Sequence, residues 1–247
     1  MEELLNKINQ LKKEIDSLRP LNKGELLELK KWYETTYTYH TNALEGNSLT
    51  LAETKIVLEE GLTIEGKPLR DILEATNHKE ALDLLFSMVE KKIKLTVKNI
   101  LDLHKIFLDK IDTENAGVYR KIQVYISGEE EKLPQATEVP FLMKNLLQWY
   151  YENSAVLHPT ILSAEFHYRF VKIHPFVDGN GRIARLVSNL ILLQGGYPLV
   201  IIPILRRREY ITALKSTSTK EDFVNFFLTS VVDNMRDYLR MVDTTKS

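Results

Sequence analysis

The 247-residue chain contains no cysteine, which excludes disulfides and thiolate-ligated zinc. It also lacks any apolar run long enough to span a bilayer. Neither sign of charge is in excess: 33 Lys and Arg stand against 34 Asp and Glu, for a net charge of −1. Nothing in that balance predicts a nonspecific hold on nucleic acid or on a membrane surface. The opening residues, Met1-Glu2-Glu3-Leu4-Leu5-Asn6-Lys7, have neither the basic start nor the apolar run of a secretion signal, so a cytoplasmic location is the expectation. Repeats and low-complexity segments are missing. What is present is ordinary for a globular protein, 44% hydrophobic and 27% charged residues. The length suits one large domain, or one domain with a small appendage, and is enough to bury a substantial core.

The pattern reads as mostly helix. Leu4, Ile8, Leu11, Ile15 and Leu18 form an amphipathic stripe that fits either packing on the protein's own core or dimerisation. Pro20 ends it. A second helix is expected from Leu26 to Leu44, and Ser48 or Thr50 can cap a third through Leu58. Residues 61–67 are turn-rich and suit a small hairpin. Further helices are expected over 69–90, 96–110, 138–153, 159–172, 181–194, 206–216 and 221–240. The exception is Lys121 to Leu133. Its Gln123-Val124-Tyr125-Ile126 run is rich in strand formers, and Ser127-Gly128 with three glutamates reads as a solvated turn.

One stretch concentrates chemistry: His174-Pro175-Phe176-Val177-Asp178-Gly179-Asn180-Gly181-Arg182-Ile183-Ala184-Arg185. Pro175 drives His174 out of the right-handed helical region, so the preceding helix ends there and leaves an imidazole at a helix exit, able to take a proton near neutral pH. Asp178 is an oxygen ligand of the kind Mg²⁺ prefers. Gly179 and Gly181 permit positive φ and close approach of backbone to a ligand. The helix opening near Gly181 aims free N–H groups and its positive dipole end at an anion. Arg182 and Arg185 share a face of its first turn, where two guanidinium groups repel unless an anion lies between them. Taken singly, each residue has a plain explanation. A Gly-Asn-Gly turn reverses a chain, a His before a Pro is often structural, and an Asp in a loop is usually solvated. Their coincidence, in phosphate-binding order at a helix start, is what points to function.

These residues match the motif H-P-F-x-[D/E]-G-N-G-R-x-x-R at every specified position, and from about Tyr33 to the last helix the chain resembles the Fic family. The resemblance implies an all-α fold with a small β-hairpin flap. It implies a protein adenylyltransferase that moves AMP from ATP to a hydroxyl of a target protein with Mg²⁺. His174 would be the base and Asp178 the Mg²⁺ ligand. Gly179, Asn180 and Gly181 would cradle anions with Asn180 near the α-phosphate, and Arg182 and Arg185 would hold the β and γ phosphates. Tyr210 falls where the family places residues around the adenine. The polar contact to the base expected further along falls near Ser218, a departure that touches base selectivity. The flap, near 121–135 and after Gly117-Val118-Tyr119-Arg120, would hold the target backbone by strand pairing.

Upstream, Thr41-Asn42-Ala43-Leu44-Glu45-Gly46-Asn47 resembles the family's inhibitory helix, [S/T]-x-x-x-E-[G/N]. Thr41 and Glu45 share a helical face, and Gly46 supplies a stop. By resemblance Glu45 pairs with Arg185 and displaces the γ-phosphate. This places the chain in the class with an N-terminal inhibitory helix, divided as 1–45 for the N-terminal helices and 46–247 for the catalytic core, or one continuous domain. Gly66-Lys67-Pro68-Leu69 resembles a surface that such relatives use for homodimers, with a simple loop as the alternative. By the same resemblance, neither the winged-helix module that other relatives carry after the core nor the tetratricopeptide repeats that animal relatives carry before it is expected here.

Alternative activities are removal of AMP, transfer of another nucleotide, or a non-catalytic nucleotide-binding regulatory module. Gly181 argues against the kinase-like branch of the superfamily. His158, His167 and His174 lack zinc-site spacing, and His167 is read as structural. Arg206-Arg207-Arg208 sits at a helix start, an unusual place for cations given the macrodipole.

Overall fold

The computed structural model describes every residue except 19, 126–131, 216 and 245–247, with backbone alone at 243 and 244. Helices α1 (Glu2–Ser17), α2 (Lys23–Ala43), α3 (Leu51–Glu60), α4 (Leu69–Glu90) and α5 (Val97–Phe107) form the first half. Helices α6 (Val139–Asn153), α7 (Pro159–Ile173), α8 (Asn180–Gln194), α9 (Arg207–Leu214) and α10 (Lys220–Thr244) form the second. The all-α expectation holds. Among the described residues there is no strand, either at 61–67 or at 121–125. The rest of the expected 121–133 hairpin includes 126–131, which lie outside the described residues. At its base the two arms are joined by side chains rather than by a ladder: Arg120 donates to the carbonyls of Ile122 and Pro134, and Gln123 to that of Leu133.

Local chemistry explains the boundaries. Capping boxes open α2 (Asn22 with Glu25), α3 (Thr50 with Glu53) and α5 (Thr96 with Asn99). Thr50, rather than Ser48, is the cap of α3, because the Ser48 hydroxyl and N–H are both taken by Asp71. Helix α2 begins three residues before the expected Leu26, its box overriding the poor propensity of Gly24. Gly61, at φ +67°, terminates α3 where a hairpin was expected to begin. Helix α9 covers Arg207–Leu214 after a 3₁₀ turn at Ile204–Arg206, so the expected 206–216 helix is shorter.

Helix α8 runs through the middle, and every residue from Arg182 to Leu192 is buried. Its largest partner is α7, and α2, α4 and α5 also pack on it. An amphipathic surface helix hides one stripe, whereas α8 is enclosed on all sides. It nonetheless carries Arg182, Arg185, Ser188 and Asn189 among its apolar residues, so polar groups on α2, α4 and α7 must converge on it. The α1 stripe turns inward: Ile8, Leu11 and Ile15 are buried, and α1 packs along α10. One apolar core includes Ile8, Leu103, Leu190 and Val242, and a smaller cluster of Leu49, Val57, Ile72 and Ala75 sits between α3 and α4.

Because the α1 stripe is core, Ile8→Ala should lower unfolding free energy by about 2–5 kcal/mol, as buried Ile truncations do. Chemical denaturation reads that change. A shift in sedimentation with little change in stability would instead mark the stripe as an intermolecular seam.

Candidate active site

The turn 174–179 between α7 and α8 carries the site. His174 leaves α7 in the left-handed region at φ 51°, ψ 61°, out of the right-handed helix as Pro175 requires. No side chain among the described residues bonds its buried Nδ1, and burial, only partly offset by the Val171 carbonyl, pushes its pKa down to about 4. The imidazole is therefore neutral near pH 7. It lines a cleft of about 610 Å³ together with Glu45, Pro134, Tyr168, Gly181 and Tyr210.

The turn is held from within by Asn180. Its Oδ1 accepts from the Phe176 N–H and its Nδ2 donates to the Phe176 carbonyl, both at 2.9 Å. One N–H and one oxygen lone pair of the Asn180 amide thus close the turn, and its second N–H is not used there. Gly179, at φ +81°, could not take a side chain without strain. His104 braces the turn from α5. Its ring stacks on Phe176 at 3.6 Å, Gly117 N–H donates to its Nδ1, and its Nε2 lies 3.0 Å from the Asp178 carbonyl. Since Nδ1 accepts, Nε2 carries the proton and donates.

Two buried guanidinium groups face this turn from α8, each matched by a carboxylate. Arg182 reaches Glu74 at 2.9 Å and Asp178 at 3.0 Å, and its guanidinium lies 4.2 Å above the Phe107 ring. Asp178 also accepts from Gly179 N–H and, at 2.6 Å, from Arg70. Burial raises the Asp178 carboxyl, but Arg182, the Gly179 N–H and Arg70 outweigh it and hold the pKa below its ordinary value.

Arg185 is 2.7 Å from Glu45 Oε1. It also donates through Nε to Thr41 Oγ1, through an Nη to the Thr41 carbonyl, and through the other Nη to the Tyr210 hydroxyl. The expected Glu45–Arg185 contact is therefore formed, with Thr41 in it. Burial raises the Glu45 carboxyl, yet Arg185 and Arg182 keep it below its ordinary value and ionised. Gly181 makes the approach possible, since a Cβ there would lie 2.4 Å from Glu45 Oε1.

Tyr210 is buried on the cleft wall, and its hydroxyl lies between Arg185 and His167 Nε2. His167 Nδ1 meets the Ser188 hydroxyl, and burial holds its pKa well below the ordinary value, so it is a satisfied neutral histidine. Ser218 is not at the cleft; its hydroxyl donates to the Thr212 carbonyl. The basic run has structural tasks: Arg207 donates to the Leu44 carbonyl at the end of α2, and Arg206 pairs with Glu209 and Asp233. His158 caps α7 and meets Asn9. Sequence reasoning missed Arg70, Glu74, His104 and Arg120, which come from separate segments with no local pattern. For Glu74 the available signal was its i+4 spacing from Arg70 on a helix.

Asp178 is a single hard-oxygen donor, and among the described residues no group of three His, Asp or Glu gathers as a metal cage. That donor set fits Mg²⁺, which commonly takes one or two protein carboxylates and completes its shell with water and phosphate oxygens.

A sequence model of the Fic/DOC family matches residues 94–192. Curated relatives include the protein adenylyltransferase Fic of Drosophila melanogaster, 38% identical over 193 residues, and that of Drosophila yakuba, 37% identical over the same length. Each match covers 78% of this chain and 39% of the relative, so the chain spans about two fifths of the length of these proteins. Residues 134–508 of Fic-1 from Caenorhabditis elegans superpose with a TM-score of 0.90 at 30% identity, covering 99% of this chain and 73% of that one. A Fic-domain-containing signalling protein of Bacteroides thetaiotaomicron gives 0.88 at 29% identity, covering 96% and 98%.

The buried histidines dictate an acid-stability prediction. His78 is pushed to about 3, His104 and His174 to about 4, and His167 well below its ordinary value, all chiefly by burial. The unfolded chain therefore binds more protons below about pH 6.5, and stability falls as pH drops from there toward the folded values. Each group contributes a slope of up to about 1.4 kcal/mol per pH unit. Denaturant titrations at pH 7, 6 and 5 should show this loss beginning before the carboxylates titrate. Stability that stays flat down to pH 5 would contradict it.

Proposed function

The chain belongs to the Fic/DOC family, and from that premise we propose that it transfers AMP from ATP to a hydroxyl side chain of a target protein and releases pyrophosphate. The observation that carries this reading is a neutral, buried imidazole and Gly181 of the first turn of α8 opening on one cleft, with Asp178 in the same turn as His174 and bonded to Arg182. His174 takes the proton of the incoming hydroxyl, whose oxygen bonds to the α-phosphorus as the bond to the bridging pyrophosphate oxygen breaks. Backbone N–H groups at the start of α8 stabilise the charge on the transferring phosphate. Arg182 and Arg185 suit the outer phosphates, since guanidinium forks bind them bidentately. Asp178 would hold Mg²⁺, which would supply neutralisation of part of the leaving-group charge. The cleft wall at Tyr210 suits the adenosine. The segment 121–135 suits the target backbone, in the hairpin form that the family resemblance implies.

Glu45 restrains this reaction. Its carboxylate occupies the Arg185 donor that a γ-phosphate oxygen would take, so ATP settles with its α-phosphate misplaced. A second reading has specific support: only Oε1 of the ionised Glu45 is bonded to Arg185, which leaves its other oxygen to orient a water. In that reading the same site removes AMP from a modified protein. The start of α4 is a candidate homodimer contact, since Leu69 is 65% exposed there.

Incubation with α-labelled ATP and Mg²⁺ tests the proposal. Glu45→Gly should raise self-modification at least about tenfold, equivalent to roughly 1.4 kcal/mol of relieved competition. His174→Ala in that background should abolish it. Arg185→Ala should stay low, because it removes the phosphate ligand together with the restraint, and the Glu45→Gly, Arg185→Ala double variant should behave like Arg185→Ala alone. If Glu45→Gly leaves transfer unchanged while abolishing release of AMP from a modified protein, removal is the reaction. For the dimer, Leu69→Asp should convert a sedimenting dimer to monomers; wild-type protein that is monomeric at tens of micromolar, a typical transient affinity range, removes that contact.

A further inference from the structure

Arg120 is the buried cation that the reaction described above does not use. It is 2% exposed, and among the described residues no carboxylate pairs with it. Burial lowers its pKa below the ordinary value, so the surroundings do not favour the charge by themselves. Its guanidinium is instead shared among three backbone carbonyls: Nε donates to His174 at 2.8 Å, one Nη to Pro134 at 2.6 Å, and the other to Ile122 at 3.3 Å. Its own N–H donates to the Pro175 carbonyl at 2.9 Å. The two residues at the α7 exit and both arms of the 122–134 segment therefore meet on one side chain.

We propose that Arg120 is a positioning residue that ties the arms at 122–123 and 133–134 to His174, so that seating an acceptor chain along those arms and orienting the imidazole are one event. This rests on the reading of His174 as the base and of those arms as the acceptor's seat. Three features support it. His174 sits in a left-handed conformation, and among the described residues no side chain bonds its Nδ1; the ring faces the Val171 carbonyl instead. Backbone from 171 to 175 therefore sets the orientation, and Arg120 holds the carbonyls of 174 and 175. The arms at 122–123 and 133–134 have no ladder of their own, and only Arg120 and Gln123 bridge them among the described residues. A planar guanidinium can donate in three directions at once, which an ammonium on a flexible stem cannot do with fixed geometry.

The test uses Arg120→Lys, which keeps the charge, and Gln123→Ala, an exposed position that loosens only the arms. Both are made in the Glu45→Gly background and checked for folding by thermal melts. Two readouts are independent of activity: hydrogen exchange of backbone amides at 121–125 and 132–135, and the His174 ring resonances. Arg120→Lys should speed exchange in both arms and shift the His174 ring signals. Gln123→Ala should speed exchange in the arms and leave the ring signals in place. With a protein acceptor, Arg120→Lys should lower kcat at least about tenfold, and Gln123→Ala should raise the acceptor KM with kcat kept. Binding of a fluorescent ATP analogue should stay within about twofold in both. If Arg120→Lys leaves exchange and ring signals unchanged, the tie is overturned whatever the activity does. If its only effect is a lower melting temperature, with kcat and KM kept, Arg120 is merely structural and the proposal also fails. An Arg120-intact, Glu45→Gly protein that modifies nothing would count against AMP transfer, while the exchange and ring readouts would still decide the tie.

Discussion

Two guanidinium groups buried on the central helix set the terms for the rest of this molecule. Removing a charge from water is costly unless it is paired and hydrogen-bonded. Arg182 and Arg185 are each only 3% exposed, so every element around α8 has to supply an acceptor. Helix α4 supplies Glu74, the turn supplies Asp178, and α2 supplies Thr41 and Glu45. The placement of α2 and α4 against α8 is thus electrostatic as well as apolar. The chain answers that charge with its own carboxylates. In the proposed reaction, polyphosphate and these carboxylates compete for one set of donors.

This view accounts for the pattern of glycines better than conformational freedom alone. Gly179 needs its positive φ to cap α8, but Gly181 is helical and has no such need. Its requirement is spatial, because any side chain would strike the Glu45 carboxylate and crowd Arg185. The second glycine of the motif therefore keeps open the space in which a carboxylate and a phosphate can compete for Arg185.

The parts of the site legible in the sequence were those whose partners are close in the chain. The exit of His174 follows from Pro175, and the turn and helix start follow from Gly179 to Gly181. The Glu45–Arg185 contact spans the whole fold and was legible only through resemblance to a family. His104 and Arg120 carried no local signal, and Arg70 and Glu74 only their i+4 spacing, because their roles exist only once α4, α5 and the 117–120 segment have packed around the turn. Asn180 carries a task that its type did not announce. A six-residue turn between two packed helices has to satisfy the Phe176 backbone, and Asn180 is the side chain in reach. Among the described residues, 123–125 carry strand formers without a strand, and side-chain donors from Arg120 and Gln123 satisfy carbonyls at the base of that loop instead.

The hydrogen-bond directions around Tyr210 complete the argument. Ser188 donates its only hydroxyl proton to the Ala184 carbonyl, so it must accept from His167 Nδ1. His167, held neutral by burial, then offers Nε2 as an acceptor, and the Tyr210 hydroxyl donates to it. Tyr210 is left with lone pairs only, and it accepts from Arg185. A phenol whose proton is committed inward cannot act as a donor to the base of a nucleotide, so its contribution to the cleft is its ring face and its hold on Arg185. The same bookkeeping applied to Arg185 shows what happens when Glu45 leaves. Nε stays on Thr41 Oγ1, one Nη keeps the Thr41 carbonyl, and the other keeps Tyr210. Only the N–H that faced Glu45 is released. The guanidinium stays fixed by the three remaining bonds, and in the proposed reaction a phosphate oxygen takes a donor that is already in place.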